Sequence, residues 1–324
     1  MAGATLSPVE SILCDPASGE RLAREGDCLV SSRSRYPIVR GIPRFVAGDR
    51  YAGSFSFEWN AHARTQLDSF RGDDSSERQF RAKTGFSPQE LAGKRVLDAG
   101  AGAGRYTDVA SRWGAFVAAV DLSYAVEAAR RNFAQRDNVF VAQADIGALP
   151  FLPGSFDAIF SIGVLHHTPD ARASFLKLVP LLKPGGSIAI WVYPPDPDYV
   201  VRRSWVRFVN KLPPRMFYAW CRWFVPWAQR RLDDPRVGLM RRLFPFSMQG
   251  LGLENDILDT FDGYSPRYHA LHAPEEVEGW FREAGLADIR RPSDWRTCVR
   301  GRKSEHVGES ALGALEPPVG RACH

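Results

Sequence analysis

RVLDAGAGAGRYT (residues 95–107) is an apolar run that closes on an aspartate and opens at once into a loop with glycine at every second position. Three more runs of the same kind follow: FVAAVD (116–121), VFVAQAD (139–145) and FDAIFSI (156–162), each ending at or near a polar or glycine position. A fifth, SIAIWVY (187–193), comes after the helix-like stretch ARASFLKLVPLL and the turn KPGG. Between the second and third runs lies SYAVEAARRNFAQ, with Ser123 placed as an N-cap and Glu127 four residues before Arg131 on one helical face. Strands that alternate with helices need crossovers, so the pattern predicts an α/β fold with a doubly wound, mostly parallel sheet covered by helices on both faces.

The rest of the chain divides around this core. Its 324 residues suggest one large domain with additions, or two domains. With 44% hydrophobic and 24% charged residues, a wholly disordered or fibrous chain is excluded. The start, MAGATLSPVES, lacks the flank and apolar run of a signal peptide, and nowhere do about 18 apolar residues run uninterrupted, so a cytoplasmic location is expected. Five scattered cysteines (14, 28, 221, 298 and 323), with no close pair, argue for reduced thiols. Six sections are predicted: a small module over 1–48, a lead-in over 49–92, the core over 93–193, an insertion over 194–269, the end of the core over 270–302 and an unstructured tail over 303–324. The charge of +5 is regional: residues 199–246 hold eleven Lys/Arg against two Asp, together with eleven aromatic residues that include Trp205, Trp220, Trp223 and Trp227.

Ligands of open parallel sheets bind beyond the carboxyl ends of the strands, where strand order reverses. Asp98, Asp121 and Asp145 stand at three successive strand ends, 23 and 24 residues apart, so one strand and one returning helix separate each from the next. Gly100, Gly102 and Gly104 permit a tight turn and close approach of a ligand, and the helix behind them offers free amides to an anionic group. The dinucleotide spacing G-x-G-x-x-G is not met, because Arg105 stands three residues after Gly102. Read singly, Asp121 and Asp145 are also simple helix N-caps.

Taken in order, VLDAGAGAGRYT, VDLSYAVEAA, QADIGALPFLPGSFDAIFSIGVLHHTPD and LLKPGGSIAIWVY resemble the successive motifs of the class I S-adenosylmethionine-dependent methyltransferases, of the UbiE-like, methyltransferase type 11 group. The resemblance implies a Rossmann-like, seven-stranded sheet and S-adenosyl-L-methionine as cofactor, with S-adenosyl-L-homocysteine as its product. It implies that Asp98, Gly100, Ala101, Gly102 and Gly104 hold the methionyl part. Asp121 would bond the ribose hydroxyls, Leu122 lie against the adenine, Asp145 accept from the adenine amino group, the Ile146 amide face a ring nitrogen, and Ile162 and Gly163 floor the methionine side.

Methyl transfer from a sulfonium is an in-line displacement in which alignment alone can lower the barrier by about 7–11 kcal/mol in favourable systems. A hydroxyl acceptor gains from a general base. His166 and His167, after the fourth strand, are candidates, with packing or helix capping as their other reading; His269 is a third. The segment DTFDGYSPRYHALH (259–272) is expected to arch over the acceptor as a loop, with Tyr264, Arg267 and Tyr268 as substrate contacts, or to be a turn around Ser265-Pro266. Tyr51, Phe57 and Trp59 of the lead-in would cap the pocket or pack on the sheet edge. The first 46 residues resemble a zinc-ribbon module, but only Cys14 and Cys28 are present as ligands, with Ser31 and Ser32 where a second pair would fall, so no metal is expected.

The insertion reads as a helical lid cut into short helices by Pro213, Pro214 and Pro226, with aromatics inward and arginines outward. Peripheral membrane contact through 199–246 and an RNA-gripping surface are its other readings. The function expected is methylation of a small or lipid-like molecule, oxygen favoured, with nucleic acid a disfavoured partner. Rival readings are an RNA methyltransferase, an NAD-dependent oxidoreductase and a non-catalytic protein of the same fold. Oligomeric state is not legible.

Overall fold

The computed structural model describes residues 7–305 except 197–198, 232, 245, 248–251 and 295–296. The expected tail, apart from its first three residues, lies outside the described residues. At the amino end, β1 (Ala23–Glu25), β2 (Cys28–Val30), β3 (Arg35–Val39) and β4 (Ile42–Pro43) form an antiparallel sheet in chain order. Arg40 and Gly41 both take positive φ, 55° and 74°, which suits the two-residue turn that pairs Val39 with Ile42. Where the zinc-ribbon resemblance would set ligands, hydrogen bonds converge on Asp15. Its carboxylate accepts from Ser31 Oγ at 2.9 Å, Tyr36 Oη at 2.8 Å and Ala17 N at 2.9 Å. Burial pushes this carboxyl up, but those bonds prevail and hold it well below the usual carboxylate range. Among the described residues no three His, Cys, Asp or Glu side chains are grouped to hold a metal ion.

The lead-in folds as α1 (Gly53–Ala61), α2 (Asp68–Arg71), α3 (Ser75–Thr84) and α4 (Pro88–Leu91). The core follows as β5 (Arg95–Ala99), α5 (Arg105–Arg112), β6 (Phe116–Asp121), α6 (Val126–Asn132), β7 (Val139–Gln143), β8 (Phe156–Ile162), α7 (Ala171–Leu178) and β9 (Leu182–Trp191). The insertion supplies α8 (Tyr199–Val209), α9 (Pro214–Gln229), α10 (Pro235–Leu243) and α11 (Leu253–Asp262), and the chain closes with α12 (Pro274–Glu283), β10 (Leu286–Arg290) and β11 (Cys298–Lys303). The seven strands run in the order β10-β11-β9-β8-β5-β6-β7, with β5 to β9 parallel and the last two antiparallel. This is the expected α/β sheet. Because β5 pairs with β6 on one side and β8 on the other, strand order reverses at β5, and a crevice opens at the carboxyl end of that strand.

The amino-terminal module closes the free edge of the sheet. Phe45 N donates to Gln143 O at 2.8 Å, beside a parallel bridge between Arg44 and Gln143. The Arg44 guanidinium, 8% exposed, bonds Gln143 Oε1 at 3.0 Å and pairs with Glu127. Arg44→Met should therefore cost about 1–3 kcal/mol, since it strips a half-buried carboxylate of its close partner. Chemical denaturation would show this as a lower midpoint; an unchanged midpoint would mean the latch contributes nothing.

Two features of the insertion depart from expectation. Pro226 lies inside α9 and does not end it. Buried Phe217, Phe224, Phe244, Phe261 and Tyr264 form a shared core that α9 and α11 hold together, and this packing outweighs the lost amide. The aromatic residues are also not all inward: Trp223 and Phe208 are 64% and 57% exposed.

Candidate active site

Beyond the carboxyl ends of β5, β6 and β8, and under α1 and α11, lies a cavity of about 900 Å³. Its floor is the glycine loop, Gly100 to Ala103, followed by Asp121, Leu122, Ile146 and the Ile162-Gly163-Val164 turn. Positions 100, 102 and 104 take φ of 92°, 54° and 97°. At Gly100 and Gly104 a Cβ would come within 2.3 Å of Val164 and 2.2 Å of Phe133, so glycine there is a packing requirement.

The three strand-end aspartates occupy different places. Asp98 sits behind the loop and outside the cavity lining, where Thr107 Oγ1 donates to it at 2.6 Å; burial pushes its carboxyl up to about 7. It ties the loop to α5. Asp121 lines the cavity and clamps the loop: Gly102 N donates to Oδ2 at 2.8 Å, and Ser123 N and Oγ to Oδ1 at 2.8 and 2.6 Å. Burial pushes its carboxyl upward against these bonds. Asp145 caps the turn at 146–148 through Gly147 N at 2.9 Å and pairs with Arg50 at 2.9 Å, outside the lining to which its neighbour Ile146 belongs. Gly104 also lies outside the lining, at the N-cap of α5.

The histidines separate sharply. His166 is fully buried, its ring stacked on Tyr193 with centroids 3.9 Å apart, and burial together with His167 and His269 drives its pKa well down. That is a packing position. His167 lines the cavity, and its Nδ1 lies 2.9 Å from the Tyr268 carbonyl. A carbonyl only accepts, so Nδ1 carries the proton and Nε2, which has no hydrogen-bond partner, keeps its lone pair. Burial lowers this imidazole to about 4, so it is neutral at physiological pH. His269 packs edge-on to Tyr193 and His167 and is not part of the cavity lining.

The stretch expected to arch over the site as a loop begins as helix: Asp259 to Asp262 are the last turn of α11. Beyond it the chain does return over the histidines, with Ala270 N donating to His166 O and His272 N to Tyr193 O, both at 2.9 Å. Tyr264 is 1% exposed and stacks on Phe244 at 4.5 Å while still touching the cavity. Arg267 is exposed, its guanidinium over the Tyr268 ring, and neither residue lines the cavity. From the lead-in, Tyr51 and Trp59 line the cavity; Phe57 packs against Tyr218 and Phe261.

Several lining residues carry no motif in the sequence. Glu58, Asp259 and Asp262 form an acidic wall, with Tyr193 Oη donating to Asp262 Oδ2 at 3.0 Å. Arg71, Lys83 and Arg105 are also on the lining, Lys83 3.9 Å over the Trp191 ring and Arg105 near enough to draw the Asp259 carboxyl down against its burial. The one sequence signal was Asp259 and Asp262 at a helical i, i+3 spacing, which has meaning only once the stretch is known to be helix.

Residues 97–190 match a family model described as a methyltransferase domain. The chain is 32% identical over 142 residues to demethylmenaquinone methyltransferase of Clavibacter sepedonicus, covering 44% of this chain and 58% of that protein. It is 31% identical over 148 residues to ubiquinone biosynthesis O-methyltransferase of Azotobacter vinelandii, covering 41% and 64%. The chain thus spans about half the length of the curated relatives it matches. A solved S-adenosylmethionine-dependent methyltransferase from Mesorhizobium loti is 29% identical over 32% of this chain and 48% of that one, with a TM-score of 0.30. The family match and the two curated relatives support a methyltransferase domain over residues 97–190.

Proposed function

We propose that the chain moves the methyl group of S-adenosyl-L-methionine onto an oxygen atom of a small, largely apolar acceptor. The observation that carries this reading is the continuity of one cavity from the glycine loop and Asp121 to His167, whose Nε2 has no hydrogen-bond partner. About 300–1,000 Å³ is the usual range of small-molecule sites, and this cavity lies near its upper end, as a donor and an acceptor together require. The names of the relatives, enzymes of menaquinone and ubiquinone methylation, support a small acceptor.

The donor supplies a methyl carbon already activated by its sulfonium. The chain's part is placement and proton removal. The loop at Gly100 to Ala103, with no side chain larger than a methyl, lets a ligand lie close to the main chain, Asp121 presents its remaining lone pairs, and Leu122 and Ile146 offer apolar walls. Trp59 and Tyr51 roof the space and exclude water. As the new carbon–oxygen bond forms, the acceptor hydroxyl becomes strongly acidic, and His167 Nε2 takes its proton while Nδ1 stays bonded to Tyr268 O.

Two measurements test this. S-adenosylhomocysteine at about 100 times its dissociation constant should raise stability by about 2.7 kcal/mol, whereas NAD should not; the reverse pattern would overturn the donor assignment. With catechol as acceptor, His167→Ala should lower kcat about a hundredfold, and turnover of the parent should stay level from pH 6 to 8, because an imidazole lowered to about 4 is already neutral there. An undiminished kcat in the variant would remove His167 from the mechanism.

A further inference from the structure

The acidic wall has no role in the mechanism above. Glu58 is 1% exposed, lines the cavity and leaves Oε2 without a hydrogen-bond partner. Asp262, on a different helix, leaves Oδ1 in the same state while its Oδ2 accepts from Tyr193. Two unpartnered buried carboxyl oxygens on residues that line one cavity are costly, and native proteins retain such atoms where a ligand satisfies them.

Charge sets the kind of ligand. The acidic neighbours that weigh on Glu58 are Asp262 and Asp259, whereas the one that weighs on Asp98 is Asp121. The cavity therefore has two acidic groups: one at the glycine loop, assigned above to the donor, and one between α1 and α11, on the side of Tyr193. Burial, with repulsion from Asp262, pushes Asp259 up to about 6 although Arg105 pulls the other way; burial pushes Asp262 up to about 6, and burial together with Asp262 and Asp259 pushes Glu58 well above its ordinary value. Of the cations on the lining, Arg105 acts on Asp259 but is not among the charges that weigh on Glu58 or Asp262, and Lys83 and Arg105 already have partners: Lys83 on Tyr106 and Gln79, Arg105 on Ser76 and Gln66. No set of side chains among the described residues is grouped for a metal ion. An ammonium group has three donors for the two open oxygens and brings the missing positive charge.

We infer that the acceptor carries a basic amine, and that its ammonium docks between Glu58 and Asp262 with Asp259 adding its charge. This rests on the reading of the cavity as a joint donor and acceptor site. The amine is the handle by which the molecule is held, and the atom that receives the methyl group is the one presented to His167.

The test uses the full chain saturated with S-adenosylhomocysteine and three probe pairs that differ only in the amine: benzylamine and benzyl alcohol, tyramine and 4-ethylphenol, tryptamine and 3-ethylindole. Binding is read by calorimetry. At least one amine should bind ten times more tightly than its neutral counterpart, and the preference should collapse to within twofold in the Glu58→Gln/Asp262→Asn variant. These substitutions keep side-chain shape and remove charge, and circular dichroism confirms that the variant is folded. No amine preferred over its counterpart, or a preference that persists in the variant, would overturn the inference. A parent protein that does not bind S-adenosylhomocysteine would instead overturn the donor reading, so the two failures are told apart.

Discussion

Gly104→Ala should lower the stability of the protein by about 2–5 kcal/mol. Two costs add. An L-residue held in left-handed backbone loses about 1–2 kcal/mol, and position 104 has φ 97° and ψ 27°. The new methyl would also stand 2.2 Å from Cε2 of Phe133, which is 2% exposed among Ile42, Leu67, Val126 and Val141. Overfilling a closed core costs about 1–3 kcal/mol. The melting temperature should fall by about 4–20 °C at 2–4 °C per kcal/mol for a large domain. Gly102 is the internal comparison: its φ is 54°, but a Cβ there meets only the Trp59 ring edge at 3.3 Å, on the cavity side. Gly102→Ala should therefore cost less stability than Gly104→Ala and obstruct the ligand more. If both variants melted with the parent, the tight packing behind the loop would be wrong.

How much of this was legible in the sequence follows from where each cause lies. The sheet was legible because its period is local: each strand carries its apolar run, and each crossover its helix. The reversal at β5 was not, because alternation demands crossovers but does not say which strands pair. The acidic wall was not legible, because Glu58 and Asp262 stand about two hundred positions apart and meet only when α1 and α11 pack through Phe57 and Phe261. Nor could spacing divide His166 from His167. They are neighbours in a single turn of 3-10 helix, and what separates them is that one ring stacks on Tyr193 while the other reaches Tyr268 O. Asp145 stands at a strand end as the pattern implies, yet Arg50, with positive φ just before α1, takes one of its oxygens. Nothing in the spacing of 98, 121 and 145 foretells that partner.

Pro226 illustrates the other limit. A proline inside a helix costs about 3 kcal/mol in isolation, and a reading by propensity ends the helix there. In the folded chain α9 is held on both sides of Pro226 by Phe217, Cys221, Phe224, Val225 and Ala228, all buried against the same cluster. At about 1.5–3 kcal/mol for each large apolar side chain removed from water, two or three such contacts exceed the penalty. Lid geometry is thus set by tertiary packing, which a one-dimensional pattern does not contain.

Asp121→Ala should weaken binding of S-adenosylhomocysteine by about 1–3 kcal/mol, a rise in dissociation constant of about 5- to 150-fold. The carboxylate does two jobs in this reading, and the experiment has to part them. It holds the loop, through Gly102 N at 2.8 Å and Ser123 N at 2.8 Å, and it faces the cavity with lone pairs left for a diol. Loss of the clamp frees a backbone amide that a water in the emptied space can satisfy, so its effect falls mainly on stability. Loss of the diol contact falls on affinity. Ser123→Ala separates the two: it removes one donor to Oδ1, at 2.6 Å, and leaves the carboxylate in place, so it should lower stability while leaving affinity within about threefold, under 0.7 kcal/mol. Calorimetric titration of both variants, alongside their melting curves, gives the four numbers needed. Should Asp121→Ala melt early yet bind as tightly as the parent, the carboxylate is a loop clamp alone, and the ribose must rest on some other part of the rim.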